Sequence, residues 1–251
     1  MIKIAIVMAT YMRDDNSSKQ NILRVFDFLQ KQTYTNFTLF LIGDTYKDNI
    51  EFEELCKLYK GNIYYYNSEI NYRTDYFTNK FNKWSVGGVN AMYLGVKKAI
   101  LESYDLYFHL DDDDIWTENH IQRYIDIYKN YPLVDFITCK SIYCNKSILP
   151  NEHNFINKIS YNNIIVRHSN LVHSSWCFNL KTMSSFLEEI FNYYFNIINN
   201  IKNKIIEEYP IEPFDSQSLK ELHKLQINNK IRCICDIYIT CIKYDEGSII
   251  N

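Results

Sequence analysis

Four consecutive carboxylates, Asp111 to Asp114, give this 251-residue chain its clearest chemical signal. They follow an apolar run, 106–110, and Ile115 and Trp116 come directly after them. Adjacent carboxylates repel one another and need a counter-charge, which a divalent cation supplies most simply. Mg²⁺ and Mn²⁺ prefer oxygen ligands and keep water and substrate phosphates in their coordination shell. The acidic segment, Asp111–Asp114, therefore predicts a metal site that also receives a phosphate group.

A solvated loop, a helix start or a weak calcium site is the alternative interpretation of such a run. The spacing of a calcium-binding EF-hand loop is absent from the segment. Its close apolar flanks also argue against a free loop. A short apolar run is typical of a buried strand, and in open α/β sheets ligands bind beyond the carboxyl ends of the strands. We therefore favour the metal site.

The first half of the chain predicts alternating strands and helices that would position this segment. A buried strand over 2–9 leads to a polar turn, and Ser17 or Ser18 then starts a helix. A second buried strand over 38–42 ends at Asp44, and β-α-β order implies parallel strands. Ordinary turn chemistry accounts for the polar residues after both strands. Further predictions are a helix over 51–59, a strand over 62–66, irregular structure over 67–84, an amphipathic helix after Ser85 and a strand over 106–110.

Within these elements the first helix is predicted to bury one apolar face. That face comprises Ile22, Leu23, Phe26 and Leu29. The helix after Ser85 begins with Gly87 and Gly88, where backbone N–H groups can bind an anion. Anion binding there would supply a second contact for phosphate.

The second half of the chain predicts a less regular series of elements. Thr117 is expected to cap a helix, and Asp215 is expected to cap another after Pro213. Other predicted elements are a strand over 134–143, a loop over 145–160, strand candidates over 164–166 and 171–180, a long helix from Ser184 or Ser185 to Ile205, a strand over 231–242 and a tail over 244–251.

Length and composition restrict the class of protein. The chain suffices for one sizeable α/β domain, and 47% hydrophobic residues argue against disorder. A net charge of −3 without a basic stripe argues against a nucleic-acid partner.

Seven cysteines without zinc-type pairs suggest reduced thiols in a cytoplasmic protein. No apolar run reaches 18 residues, so no transmembrane segment is expected, although the aromatic helix near 186–201 suits a membrane surface. The sequence is compatible with a monomer and with a homo-oligomer.

The segment Leu110-Asp-Asp-Asp-Asp-Ile-Trp116 resembles the Leu-Asp-x-Asp-Asp-Ile-Trp segment of family-2 glycosyltransferases, which have the GT-A fold. Ala9-Thr-Tyr-Met-Arg13 and Gln32-Thr-Tyr-Thr-Asn-Phe37 also resemble stretches of that family, as does His173-Ser-Ser-Trp176. Gly87 to Gly95 is similar to the family's Gly-x-x-x-Ala-Arg-Asn-x-Gly stretch. Met92 and Tyr93 stand where the family usually has Arg and Asn.

The resemblance implies an α/β fold, a GT-A (Rossmann-like), mostly parallel central sheet flanked by helices. It implies one domain over 1–251, with a donor-binding part over about 1–116 and an acceptor-binding part over about 117–251. The implied partners are a nucleoside diphosphate sugar, UDP-linked by preference, and a glycan or other hydroxyl acceptor.

The resemblance also implies roles for individual residues around Mn²⁺ or Mg²⁺. Asp113 is the expected direct metal ligand, and Asp111 or Asp112 would bind the ribose or a metal-bound water. Asp245 stands where many members place a metal-binding histidine. The remaining expected donor-binding residues are Thr10, Tyr11, Arg13, Asp44 and Gly87, with Asp44 on the nucleotide base.

An inverting transfer needs a base that deprotonates the acceptor hydroxyl. The family keeps a catalytic Asp at the start of a helix near position 215, so the resemblance makes Asp215 the candidate, with Glu212 in reserve. A nucleotidylyltransferase would share the metal chemistry, but its glycine-rich first loop is absent from 9–16. A catalytically inactive nucleotide-sugar or glycan-binding protein on the same fold is the other alternative, and donor turnover separates it from an enzyme.

Overall fold

The computed structural model describes residues 1–13, 15, 17–70, 72, 76–144, 147–151, 158–167 and 171–243. Strands and helices alternate through the first half and become less regular in the second. The elements of the first half are β1 (Ile4–Thr10), α1 (Ser17–Gln30), β2 (Phe37–Gly43), α2 (Asn49–Cys56), β3 (Ile63–Asn67), α3 (Lys80–Ser85), α4 (Val89–Leu101), β4 (Leu106–Asp111) and β5 (Asp114–Trp116). Those of the second half are α5 (His120–Asn130), β6 (Phe136–Tyr143), β7 (Ser147–Leu149), a 3-10 turn (His173–Ser175), β8 (Cys177–Asn179), α6 (Leu180–Lys202), α7 (Phe214–Ile227) and β9 (Cys233–Lys243).

One nine-stranded sheet runs through both halves in the order β3-β2-β1-β4-β8-β6-β9-β5, with β7 beside β6. The pairs β3–β2, β2–β1, β1–β4 and β6–β9 are parallel. The three short strands β5, β7 and β8 run against their neighbours. Since β4 and β6 both run antiparallel to β8, the six longer strands all point the same way. The mostly parallel α/β sheet flanked by helices is therefore confirmed.

Helices cover both faces of the sheet because side chains along a strand alternate between faces. In β1, Ala5 and Val7 join a core with α4, α6 and α7, whereas Ile4, Ile6 and Met8 join a second core with α1, α2 and α5. Helix α4 packs very close to β1: a Cβ on Gly95 would lie 2.5 Å from Val7 Cγ1. Glycine at this position therefore has a packing role.

Several local predictions need correction. The acidic segment continues into β5, which pairs with β9, and α5 starts only at His120 after Asn119, so Thr117 is not its cap. Helix α6 starts at Leu180, because Asn179 accepts a hydrogen bond from the amide of Lys181 and caps it earlier than expected. Leu23 in α1 is 39% exposed, although the rest of its predicted apolar face is buried.

The irregular stretches also contain short elements that were not predicted. Helix α3 begins at Lys80, inside 67–84, and ends at Ser85, and β7 lies within 145–160. The strand candidate over 171–180 is divided between the 3-10 turn and β8. The predicted tail over 244–251 lies outside the described residues. Within the described part of the chain, no helix combines the length and apolar character needed to cross a membrane.

Candidate active site

A cleft of about 300 Å³ opens at the carboxyl ends of β1, β2, β4, β6 and β9. Parallel pairing brings the ends of β1, β2 and β4 into register, with Thr10 beside Gly43 and Ala9 beside Asp111. The cleft contains nine of the predicted site residues: Thr10, Tyr11, Arg13, Asp44, Gly87, Asp111, Asp112, Asp113 and Asp215. Glu212 is not among its lining residues, and Asp245 lies outside the described residues.

The carboxyl ends of β1, β2 and β4 form the first wall of the cleft, and three hydrogen bonds hold Asp112 in it. The guanidinium of Arg13 donates to both carboxylate oxygens, at 2.6 and 3.0 Å. Thr10 donates its hydroxyl to the same carboxylate at 2.6 Å and contacts the Tyr46 hydroxyl at 3.0 Å. Burial would lower the pKa of Arg13, but Asp112 raises it above its ordinary value. Asp112 therefore fixes Arg13 in a charged, bidentate pair.

Asp44, directly after β2, contacts the start of α4, and both line the cleft. Its Oδ2 accepts a hydrogen bond from the Gly88 amide at 3.1 Å, and Gly88 adopts a positive φ of 75° that favours glycine. The Gly87 amide donates to the Trp84 carbonyl at 3.0 Å. These two amides are thus already engaged, and the anion at this helix start is the Asp44 carboxylate. The phosphate contact of these N–H groups stays a prediction, and it would require them to exchange these partners.

Asp111 belongs to a group that the sequence did not reveal. Its Oδ1 lies 2.9 Å from His109 Nε2 and 3.7 Å from His173 Nδ1, and Tyr107 Oη lies 2.9 Å from His109 Nδ1. Ligand atoms of Asp111, His109 and His173 all lie within 4.8 Å of one another, so these side chains form a candidate metal-binding group. Burial opposes ionisation of Asp111, yet His173, His109 and Lys243 hold its pKa well below the usual value.

The two imidazole rings of this group are stacked, with centroids 3.4 Å apart and an interplanar angle of 13°. An imidazole nitrogen binds a cation in the plane of its ring. A cation in the plane of the His109 ring would therefore lie out of the plane of the His173 ring. The present arrangement offers a cation one imidazole at a time, together with Asp111.

Asp113 and Asp114 differ in what surrounds them. Asp113 is a cleft residue, and burial together with Asp111 and Asp112 raises its pKa. Asp114 is fully buried, and burial raises its pKa to about 8 even though Lys243 opposes the shift. Lys243 Nζ lies 3.5 Å from Asp114 and 3.7 Å from Asp111. Arg13 and Lys243 thus supply counter-charges within the protein, in addition to the cation that the acidic segment predicts.

The donor set still fits a divalent cation. Asp111 and Asp113 both line the cleft and present carboxylate oxygens, the ligands that Mg²⁺ and Mn²⁺ prefer. Burial raises the pKa of Asp113, and repulsion from the carboxylates of Asp111 and Asp112 raises it further, offset in part by Lys243 and Arg13. A cation beside Asp113 would relieve that repulsion.

The 3-10 turn, α7 and β9 form the second wall of the cleft, and the 3-10 turn attaches this wall to the acidic segment. The Asp111 amide donates to Ser174 Oγ at 2.8 Å, and Trp116 Nε1 donates to the Ser174 carbonyl at 2.7 Å. His173 is thereby placed beside Asp111 in the cleft. The motif His173-Ser-Ser thus has an observed structural role at the site.

Asp215 lies in the first turn of α7, where Pro213 rather than Asp215 occupies the cap position. Its Oδ1 accepts a hydrogen bond from the Ser216 amide at 2.7 Å. Glu212 instead forms an ion pair with Lys220 at 2.8 Å. Of the two candidate bases, Asp215 alone therefore lines the cleft.

The two departures at the start of α4 have structural explanations. Tyr93 packs against Phe191 and Phe195 of α6, with ring centroids 5.5 and 4.9 Å away. Met92 contributes to the cleft lining. The α4 surface that carries Arg and Asn in the family here joins the core and adds an apolar side chain to the cleft.

An uncharacterized glycosyltransferase of Acanthamoeba polyphaga mimivirus is similar to the whole chain. The two sequences are 31% identical over 254 residues, which cover 100% of this chain and 97% of the relative. No protein-family model matches the sequence.

Solved structures of S. aureus TarS share the fold. The complex of TarS 1–349 with UDP has a TM-score of 0.60 and 13% identity, covering 96% of this chain. The complex with UDP-GlcNAc has a TM-score of 0.61 and 14% identity over the same share. This chain spans 60% and 58% of those two TarS chains.

Proposed function

The chain belongs to the glycosyltransferases and has their GT-A fold, and we propose that it transfers a sugar from a UDP-sugar to a hydroxyl acceptor with inversion. In this proposal residues of about 1–116 bind the donor and residues of about 117–251 bind the acceptor, within one domain. The observation that carries it is the cleft itself. The carboxylates of Asp111 and Asp113 meet Asp215, on a helix start of the second half, around one cavity.

The first wall suits a nucleoside diphosphate. TarS binds UDP and UDP-GlcNAc on the same fold, which supports a uridine nucleotide here. Asp44 is the proposed partner of the uracil N–H. Thr10, Tyr11, Arg13 and Gly87 would shape the nucleotide site around it, and the charge of Arg13 would attract the diphosphate. Because Arg13 is fixed by Asp112, this wall is organised before the donor arrives.

Asp113 and Asp111 are the proposed ligands of Mn²⁺ or Mg²⁺, with one of the two neighbouring histidines able to join them. The cation would act as a Lewis acid that stabilises the departing diphosphate. Asp112 orients Arg13 beside these ligands. Asp245, outside the described residues, stays a proposed additional ligand.

Asp215 is the proposed base. The acceptor oxygen forms a bond to the anomeric carbon, the bond from that carbon to the diphosphate oxygen breaks, and Asp215 takes the hydroxyl proton. A single displacement of this kind inverts the configuration at the anomeric carbon. The hydrogen bond from the Ser216 amide and the helix N-terminus both favour an ionised Asp215, the form that a base requires.

Thermal unfolding with UDP tests the donor and metal assignments together. UDP at 100 times its Kd should stabilise the protein by about 2.7 kcal/mol in Mn²⁺, and by much less in EDTA, because a bare diphosphate meets the acidic segment. Asp113→Asn should remove most of the metal-dependent gain. Asp27→Asn, which removes a surface carboxylate of α1 paired with Lys31, is the matched control and should keep the gain.

Two results would count against the proposal. Equal stabilisation by UDP in Mn²⁺ and in EDTA would exclude the metal role. No stabilisation by UDP in either buffer, together with no release of UDP from UDP-sugars, would exclude the donor class.

A further inference from the structure

Lys243 is the charged residue of the cleft that the proposed reaction has not yet used. It is the last residue of β9 and pairs across the sheet with Asp114 of β5 and Tyr143 of β6. Its side chain is 15% exposed and lines the cleft beside Asp111 and Asp113. The carboxyl end of β9 therefore delivers an ammonium group to the place where a diphosphate would lie.

The contacts of Lys243 are looser than those of Arg13. Its two ion pairs measure 3.5 and 3.7 Å, beyond the usual range of a hydrogen bond, whereas Arg13 binds Asp112 at 2.6 and 3.0 Å. An ammonium group carries three donors on a flexible four-carbon stem. Lys243 is thus held among the carboxylates by charge and keeps donors available for another anion.

Charge in the cleft also favours a second cationic contact. Among the described residues, the cleft is lined by two basic side chains, Arg13 and Lys243, and by five carboxylates: Asp44, Asp111, Asp112, Asp113 and Asp215. A diphosphate adds further negative charge. Arg13 is committed to Asp112 in a bidentate pair, so Lys243 is the basic group that can move without breaking such a pair.

We propose that Lys243 binds the diphosphate of the donor. When the donor enters, the ammonium group moves away from the carboxylates of Asp111 and Asp114 and binds a phosphate oxygen. This inference rests on the proposed function, because it assumes a nucleoside diphosphate in the cleft. Lys243 and the divalent cation then share two partners, Asp111 and the diphosphate. They compete for Asp111 in the empty cleft and act together once the diphosphate is bound.

Calorimetric titrations of the full chain with UDP and with Mn²⁺ test this sharing. Lys243→Met should weaken UDP binding about 10- to 100-fold in EDTA, the usual size of a hydrogen bond to a charged group, and also weaken it in Mn²⁺. The same variant should bind Mn²⁺ alone more tightly, since Asp111 has lost a competing cation. Lys243→Arg keeps the charge and should retain UDP binding.

Lys98→Met changes net charge equally, removes a surface ion pair with Glu102, and should leave both titrations unchanged. If the Lys243→Met protein does not fold, the double variant Lys243→Met/Asp114→Asn replaces it, because it also removes the buried carboxylate that lost its counter-charge. This double variant should show the same weakening of UDP binding. UDP affinity of the Lys243→Met protein, or of this double variant, within twofold of the parent in both buffers overturns the inference and leaves the proposed function intact. A parent that binds no UDP in either buffer overturns the proposed function, and this inference with it.

Discussion

The two walls of the cleft are built differently. The first wall, from β1, β2 and β4, is a closed network in which Arg13, Thr10 and Asp112 bind one another at 2.6–3.0 Å. The second wall, from the 3-10 turn, α7 and β9, brings His173, Asp215 and Lys243 to the cleft from three separate elements. Its ion pairs at the acidic segment are 3.5–3.7 Å long.

This difference matches two tasks. A nucleotide that is bound in every cycle benefits from a wall whose groups are fixed before it arrives. Proton transfer and diphosphate release require groups whose partners change during the reaction. Preorganisation here belongs to the first wall, and the second wall carries the groups that exchange partners.

The largest expected effect contrasts the two basic residues. Arg13→Met should lower the free energy of unfolding by about 3 kcal/mol, because it leaves Asp112 buried without its charged partner. Lys243→Met should cost less, since its ion pairs are 3.5 and 3.7 Å long and burial raises the pKa of Asp114 to about 8, which lets that carboxyl become neutral. Urea unfolding at pH 7 measures both. Equal losses would contradict the distinction between the walls.

A second prediction concerns His120 at the start of α5, which contacts Trp116 of β5 and Thr240 of β9. Its ring stacks on Trp116 at 4.3 Å, its Nδ1 lies 2.9 Å from Thr240 Oγ1, and burial lowers its pKa to about 3. The unfolded chain protonates this histidine near pH 6.5, so the folded state loses stability as pH falls from there towards 3.

Between pH 7.5 and pH 5 this linkage amounts to about 2 kcal/mol. His120→Phe keeps a ring of similar size and should lose correspondingly less stability over that range in urea unfolding. An unchanged loss in the variant would show that His120 is not the group that titrates.

The smallest expected effect concerns the contact between Asp44, in the first wall, and the nucleotide base. Asp44→Ala should narrow the preference for UDP over ADP by about tenfold, the value of one hydrogen bond to a carboxylate. Isothermal titration with both nucleotides measures the ratio. A parent that binds ADP as tightly as UDP would remove the basis of this assignment.

The first wall was predictable from the sequence because the order of strands and helices along the chain determines it. Alternating strands and helices imply parallel strands whose carboxyl ends meet, and this places Thr10, Asp44 and Asp111 together. The sequence could not show that Arg13 would pair with Asp112, since nothing local links residues 99 positions apart. It also could not show that Asp44 would occupy the amide of Gly88.

The second wall was less accessible to sequence reasoning. His109 lies inside an apolar strand and looks like a core residue until His173 stacks on it. Lys243 reaches the cleft because β9 pairs with both β5 and β6, which is a long-range pairing. Alternating polarity in β4 could have signalled His109 and Asp111, which lie two residues apart and so point to the same side of the strand.

Asp215→Asn shows whether Asp215 is the catalytic base, because Asn keeps the shape of the side chain and suits a helix start about as well as Asp. We expect the fold and the UDP affinity to be retained, while transfer from a UDP-sugar falls by about two to four orders of magnitude, the usual contribution of a general base. Glu212→Gln, which alters a carboxylate outside the cleft, is the control and should transfer like the parent. Transfer by Asp215→Asn within a few-fold of the parent would show that Asp215 is not the base.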